Sequence, residues 1–195
     1  MRANPERRQQ IADAAVQVLA RAGGHGLSHR AVDTEAGLPR GTTSNFFNSR
    51  HALLLAAAER LSEIHWEYVD TLRRRIDGPL DRGRLATLLE KLVTGENAEA
   101  RVRLVARYEL FLAGVREPGL QPALTQVRAA ALETATMLLD AAGLAEPHKH
   151  VSLLSSVLTG LAFDHLTAPP ELRPAGDTEA TTTQVLDAIF GPEGQ

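Results

Sequence analysis

The chain has 195 residues, 44% of them hydrophobic and 23% charged, which is typical of a folded globular protein. Its formal net charge of −3 is uneven: residues 1–50 carry seven Arg against four acidic side chains, and residues 51–195 carry 14 basic against 20 acidic ones. A basic N-terminal part favours a local surface for a polyanion. The absence of Cys excludes disulfides, thiolate zinc sites and thiol nucleophiles. We recognise no signal peptide and no membrane-spanning run, so we expect a cytoplasmic protein without a membrane partner.

Three helices are predicted at the N-terminal end, of which the second and third are short. Apolar residues recur at helical spacing from Ile11 to Ala22, and Gly23 stops the pattern, which predicts a helix over 5–22. Ser28 suits the N-cap of a second helix over 28–36. After the Gly37-Leu38 turn, Pro39 suits the first position of a third helix that ends at Phe46 or Phe47.

The rest of the chain also shows helical periodicity. A long helix without Pro or Gly is predicted from Ser49 to Arg75, and punctuation by Gly and Pro separates five further segments. These are 81–94, 98–116, 119–143, 147–168 and 178–190. No stretch alternates at period two for long enough to suggest a sheet. The predicted fold class is all-α, with a three-helix N-terminal domain over 1–48 and a larger helical domain over 49–195, of which 49–75 is the connecting helix.

The second and third predicted helices have the features of a helix-turn-helix. Their connection contains Gly37, which permits a tight turn between two closely crossing helices. The third helix would enter the major groove, where short or forked hydrogen-bonding side chains can reach base edges. Such side chains are abundant here, and Gly41 would let the backbone approach closely; the candidates are Arg40, Thr42, Thr43, Ser44 and Asn45. The alternative is an ordinary helix pair with a solvated polar face.

The segment from Leu38 to Leu54, LPRGTTSNFFNSRHALL, resembles the DNA-binding signature of the TetR/AcrR family of regulators. The resemblance covers about the first 60 residues and extends to the rest only as a helical layout. It implies contacts to phosphates or the groove from the following residues: Ser28, Arg30, Arg40, Gly41, Thr42, Thr43, Ser44, Asn45, Phe46, Ser49 and Arg50. It also implies that Phe47 belongs to the small core. Three positions differ from the residues that are common in the family, namely Ser44, Phe46 and His51. These differences affect the details of base readout.

The larger domain contains aromatic and polar side chains that could line a pocket for a small apolar or aromatic ligand. The candidates are His65, Trp66, Tyr108, Phe111, Met137 and Phe163. The same residues could instead be ordinary core. His148 and His150 point to different sides of a helix, so we predict no metal site and no cofactor.

These patterns predict a homodimeric regulator that binds a double-stranded DNA operator and is released by a small molecule. That it is a repressor is implied by the resemblance to the TetR/AcrR family. The helices at 147–168 and 178–190 are predicted to form the dimer. An all-helical enzyme is a competing hypothesis, but no nucleophile–base, paired-carboxylate or metal-ligand spacing is recognisable, so we expect no enzyme activity. A ligand-sequestering protein that has lost DNA binding is a further alternative.

Overall fold

The structure is a computed structural model that describes residues 4–76, 78–144, 146–169, 171 and 178–192. Over these residues the chain forms helices and connecting loops, in agreement with the predicted all-α class. Among them, no helix is long and apolar enough to cross a membrane.

Nine α-helices and one short 3-10 helix follow one another along the described chain. They are α1 Pro5–Gly26, α2 His29–Glu35, α3 Thr42–Phe46, α4 Arg50–Arg75, α5 Arg82–Thr94, α6 Ala98–Arg116, the 3-10 helix Pro118–Leu120, α7 Gln121–Ala141, α8 Pro147–Thr167 and α9 Thr178–Phe190. The predicted ranges 98–116 and 178–190 agree with α6 and α9. The other predicted ends are within a few residues, except at α1 and α3.

Two glycines explain those exceptions. At Gly23 the backbone leaves helical geometry, with φ 65° and ψ −178°, so the predicted end at residue 22 coincides with a kink inside α1. The prediction that Pro39 opens the third helix is wrong, because α3 begins at Thr42. Gly41 immediately precedes it with φ 89°, a left-handed conformation that side chains with a Cβ rarely adopt.

Contacts divide the chain into two compact units. The first comprises Met1–Glu67 and Ala98–Ala129, and the second comprises Tyr68–Asn97 and Ala130–Gln195. In the first unit α1 packs against α6, and its fully buried leucines include Leu19, Leu53 and Leu110. Each such side chain contributes about 1.5–3 kcal/mol by leaving water. The helix-turn-helix therefore shares one core with α6.

The second unit has a core of its own between α5, α8 and α9. Fully buried leucines again dominate it, including Leu85, Leu138 and Leu154. Arg82, with a side chain only 10% exposed, ties α5 to α9: its Nη2 donates to the Leu186 carbonyl at 2.7 Å, and its Nε lies 3.3 Å from Asp187. The predicted domain boundary after residue 48 remains a prediction.

Candidate nucleic-acid interface and ligand site

A buried carboxylate fixes the start of α3. The side chain of Asp33, on α2, is 3% exposed and accepts hydrogen bonds from the backbone N–H groups of Gly41 at 2.7 Å and Thr43 at 2.8 Å. These donors have no partner within α3 itself, since the first N–H groups of any helix lack one. Asp33 therefore caps α3 from the neighbouring helix and sets the relative position of the two helices.

Electrostatics stabilises this cap. Burial on its own raises the pKa of Asp33, but the hydrogen bonds from Thr43 and Gly41, together with the nearby His29, more than offset it and lower the pKa from its ordinary value of 3.8. The carboxylate is thus held in its charged, accepting form. Asp33 is not recognisable from the sequence, because its partners lie eight and ten residues away and no local motif connects them.

The outer side of the helix-turn-helix carries most of the predicted DNA contacts. Six of these residues are exposed: Ser28, Arg30, Arg40, Gly41, Ser44 and Asn45. Thr42 is half-buried, and its hydroxyl donates to the Pro39 carbonyl at 2.6 Å. Ser28 also caps α2, since its Oγ accepts from the Ala31 N–H at 3.2 Å.

Two predicted contact residues face inward. Thr43 is fully buried, and its backbone N–H, at 2.8 Å, bonds the Asp33 carboxylate. Phe46 is half-buried and packs against the core of the first unit. Phe47 lies in that core, as expected, and the guanidinium of Arg8 stacks 4.4 Å from its ring centroid. The inward side chains therefore support the helix, while the outward ones remain accessible.

Ser49 and Arg50, at the start of α4, have partners within the chain. Ser49 Oγ accepts from the Ala52 N–H at 3.1 Å and caps α4. Arg50 donates to the Gly24 carbonyl at 2.8 Å and pairs with Glu117 at 2.6 Å. Nδ1 of His51 lies 3.2 Å from the other oxygen of the Glu117 carboxylate. The hydrogen bonds from Arg50, the larger cause, and from His51 lower the pKa of Glu117.

A carboxylate on α6 also contacts the last turn of α1 after its kink, residues 23–26, which we call the Gly24 loop. Glu109 Oε2 accepts from the Gly24 N–H at 3.0 Å, next to the kink at Gly23. Gly24 thus contacts Glu109 through its N–H and Arg50 through its carbonyl. Glu109 and Glu117 were not identified from the sequence, because each makes contacts across 60 or more residues of chain.

The predicted ligand residues occupy several environments. In the first unit, the rings of His65 and Trp66 meet edge to face at 6.0 Å between centroids. The Tyr108 ring centroid lies 5.9 Å from the guanidinium of Arg107 on α6, and the Phe111 ring centroid lies 4.7 Å from that of Arg128 on α7. In the second unit, Met137 accepts a hydrogen bond at its sulfur from Arg73 Nε, and Phe163 is 49% exposed. The role of these six residues in ligand binding remains a prediction.

The second unit also contains a cavity of about 240 Å³ between the end of α4 and α5. Its apolar wall includes Leu72 and Leu88, and its basic side chains are Arg75, Arg84 and Lys91. None of the six predicted ligand residues lines it. Within the described residues, no group of three or more His, Asp and Glu side chains is arranged to hold a metal ion.

The arrangement is that of a helix-turn-helix protein with an additional helical domain, and comparisons with known proteins identify its family. Residues 80–192 match the family described as the tetracyclin repressor-like C-terminal domain. A solved structure of a TetR-family member from Streptomyces coelicolor A3 is 32% identical over 95% of this chain and 99% of that chain, with a TM-score of 0.70.

Two further relatives are informative. The multidrug binding protein EbrR, solved with ethidium, is also 32% identical over 95% of this chain and 99% of that one, with a TM-score of 0.68. The nicotine-responsive transcriptional repressor HdnoR of Paenarthrobacter nicotinovorans is 27% identical over 113 residues. That match covers 58% of this chain and 57% of the relative's length. The chain therefore belongs to the TetR family, a family of ligand-responsive, DNA-binding transcriptional regulators.

Proposed function

We propose that this chain is a transcriptional repressor that binds operator DNA as a two-fold dimer and leaves it when a small molecule binds. The observation that carries the proposal is the exposed polar face of α3, fixed to α2 by the buried Asp33 carboxylate. A recognition helix has to be held rigidly, since base readout depends on hydrogen-bond geometry.

We assign base contacts to the exposed end of α3 and phosphate contacts to its surroundings. Arg40 and Asn45 have the forked donors and acceptors that suit guanine and adenine edges, and Thr42 and Ser44 can add single hydrogen bonds. Arg30, with Ser28 and Ser49, is placed to serve phosphates, which position a protein without reading sequence.

Thr43, Phe46 and Arg50 have other roles in this proposal. The burial of Thr43 and the packing of Phe46 suit support of α3. Arg50 is paired with Glu117, so it would have to leave that carboxylate to reach DNA. We therefore assign Arg50 primarily to the contact between α4, α6 and the Gly24 loop.

The dimer is proposed to form through α8 with help from α9. Leu153 and Phe163 are 55% and 49% exposed, although large apolar side chains usually lie inside. Ser156 and Gly160 lie between them on the same exposed face, at the spacing of a helical stripe. Nothing lies within 4 Å of a Cβ built on Gly160, so a second helix has room to approach there. A two-fold dimer would present two copies of α3 to one duplex.

Release from DNA is proposed to act through α6. This helix carries Glu109, which holds the Gly24 N–H, and it is followed by Glu117, which holds Arg50 and His51. A ligand that binds beside α6 and shifts it would move α1 and the start of α4 together. Such a ligand must bind the DNA-incompetent state more tightly, and a coupling of about 1–3 kcal/mol would weaken operator binding roughly 5- to 150-fold.

The relatives support repression and release by a ligand. HdnoR is named as a nicotine-responsive repressor, and EbrR was solved with ethidium. A protein with this helix-turn-helix and a separate helical domain is suited to the same kind of response. The sequence hypothesis of an apolar or aromatic ligand remains compatible with Trp66, Tyr108 and Phe111 in the first unit.

Fluorescence anisotropy with the DNA upstream of the protein's own gene tests the proposal. The wild-type chain should bind this DNA more tightly than a scrambled duplex. Arg40→Ala should reduce that preference, while Arg101→Ala, which changes an exposed arginine on α6, should retain it. Equal binding of both duplexes by the wild-type chain would contradict the proposed function.

A further inference from the structure

A buried guanidinium on α6 lacks an acidic partner. The Nε of Arg107 is buried and has no hydrogen-bond partner, and the guanidinium interacts with the Tyr108 side chain through a hydrogen bond, with the ring centroid 5.9 Å away. Burial, the dominant cause, lowers the pKa of Arg107, and Tyr108 only partly opposes it. An unpaired charge inside a protein is costly, so such a group usually serves a binding partner or has a carboxylate beside it.

The other enclosed arginines of the described chain do have carboxylates. The side chain of Arg60 is 11% exposed and pairs with Asp13, Glu63 and Glu67. Arg82 is 10% exposed and has Asp187. Arg107 thus differs from the arginines that this fold uses for structural ion pairs.

The acidic residues closest in sequence to Arg107 are engaged elsewhere. Glu99 lies 3.6 Å from Arg103, Glu109 accepts from the Gly24 N–H, and Glu117 pairs with Arg50. Neither Arg107 nor Arg128 forms an ion pair with any residue that the structure describes. Within the described residues, the buried Arg107 guanidinium therefore has Tyr108 but no carboxylate beside it, and Arg128 is exposed.

An aromatic ring lies close to the guanidinium of each of these two arginines. Phe111 lies one helical turn after Arg107, on the same side of α6. The Arg128 guanidinium, on α7, stacks 4.7 Å from the Phe111 ring centroid. One more turn along α6, a Cβ on Gly114 would overlap Leu124, so this side of α6 faces α7. Two cations and two aromatic rings are thus gathered on one side of α6.

We propose that the small molecule sensed by this protein is an aromatic carboxylate whose anionic group binds Arg107, with Arg128 and the rings of Tyr108 and Phe111 around its apolar part. The planar guanidinium matches a carboxylate with two parallel hydrogen bonds, and the rings match an aromatic body. This inference rests on the proposed ligand response. The proposed ligand differs in charge from the cation ethidium, because Arg107 would repel a cation at this position.

The position of Arg107 suits a sensor. It lies on the same helix as Glu109 and two residues before it, so an anion that pulls on Arg107 acts on the helix that holds the Gly24 loop. A shift of α6 caused by anion binding at Arg107 would reach the Gly24 loop within the first unit, because that unit contains both.

The test uses the full-length chain and matched probes: benzoate, salicylate, 1-naphthoate and indole-3-acetate, each beside its carboxamide. Thermal unfolding and the fluorescence of Trp66, the single Trp of the chain, report binding. We expect at least one carboxylate to raise Tm and its carboxamide to leave Tm unchanged. Arg107→Met should weaken that carboxylate about tenfold or more, as expected for loss of a charge-assisted hydrogen bond.

Arg84→Met is the control, because Arg84 lines the separate cavity of the second unit. It should leave carboxylate binding unchanged. Without ligand, Arg107→Met should unfold at the same temperature as the wild type or higher, since it removes a buried charge that has no carboxylate partner. The inference is overturned if no carboxylate raises Tm more than its carboxamide, if binding survives in Arg107→Met or depends on Arg84, or if Arg107→Met lowers the Tm of the free protein.

Operator binding is measured separately in the same preparations. Arg107→Met should bind operator as the wild type does and resist release by the carboxylate. Loss of carboxylate selectivity with intact operator binding would overturn this inference alone. Failure of the wild type to bind DNA would instead remove the proposed function and leave the carboxylate site standing.

Discussion

The cap from Asp33 to α3 can be tested with Asp33→Asn, which keeps the shape of the side chain but replaces one accepting oxygen by an amide donor. The carboxylate accepts from Gly41 and Thr43, at 2.7 and 2.8 Å, and is 3% exposed. Asn can accept only one of these N–H groups and turns its own donors toward the other. Loss of one charge-assisted hydrogen bond costs about 1.5–3 kcal/mol.

For a chain of this length that loss corresponds to a decrease in Tm of roughly 3–12 °C. Asp81→Asn is the matched control. Asp81 also caps a helix, with Oδ1 accepting from the Arg84 N–H at 2.7 Å, but it is exposed, and Asn caps helices about as well as Asp. Differential scanning calorimetry of both variants decides the matter. If Asp33→Asn is no more destabilising than Asp81→Asn, the reasoning about the buried cap is wrong.

The same cap predicts an acid limit to stability. Because folding lowers the pKa of Asp33 below its ordinary value of 3.8, its stabilisation is complete above that value and is lost as pH falls through the lower, folded-state pKa. Urea unfolding of the wild type between pH 7 and pH 3 should therefore lose more stability at the acid end than Asp33→Asn does. Parallel curves for the two proteins would refute this assignment.

Three further outcomes are expected. Arg40→Ala should cost roughly 1–3 kcal/mol of operator affinity and relax discrimination at one base pair, whereas Arg30→Ala should weaken all sequences alike and reduce the salt slope by about one; titrations at several salt concentrations separate the two. Glu117→Gln should destabilise the fold by at most about 1 kcal/mol in urea unfolding, because its ion pair is partly exposed, yet it should diminish release by ligand; unaltered release would exclude Glu117 from the coupling. Phe163→Glu should give a monomer by light scattering at micromolar concentration, while Val115→Glu, at a 79% exposed position of α6, should stay dimeric; the reverse pattern would assign the dimer to α6.

The sequence predicted the helices well because their signals are local. The N-cap residues Ser28 and Ser49, the spacing of apolar residues and the Gly and Pro interruptions all act within a few residues of the helix end. The start of α3 was wrong for a related reason. Pro39 provides a local helix-start signal, but the buried Asp33 cap and the left-handed Gly41 override it.

The exposed residues of the candidate site could be recognised from the sequence more easily than the buried and paired residues that hold α3 in place. Exposed polar residues such as Arg40 and Asn45 are recognisable from one short segment. Thr43 belongs to the same polar run, and only the fold reveals that it is buried. The pairing of Arg50 with Glu117 and the lack of a carboxylate beside Arg107 depend on how distant parts of the chain pack together. Periodicity contains no information about such contacts.

The most direct test of the central claim, that this chain is a sequence-specific DNA-binding regulator, is selection of duplexes from a random pool by the full-length protein. An inverted repeat whose half-sites lie about one helical turn or a multiple apart should be enriched, because two copies of α3 would meet one face of the duplex. The enrichment should disappear with Arg40→Ala and Asn45→Ala combined. A pool that remains random after repeated rounds with the wild-type protein would contradict the account.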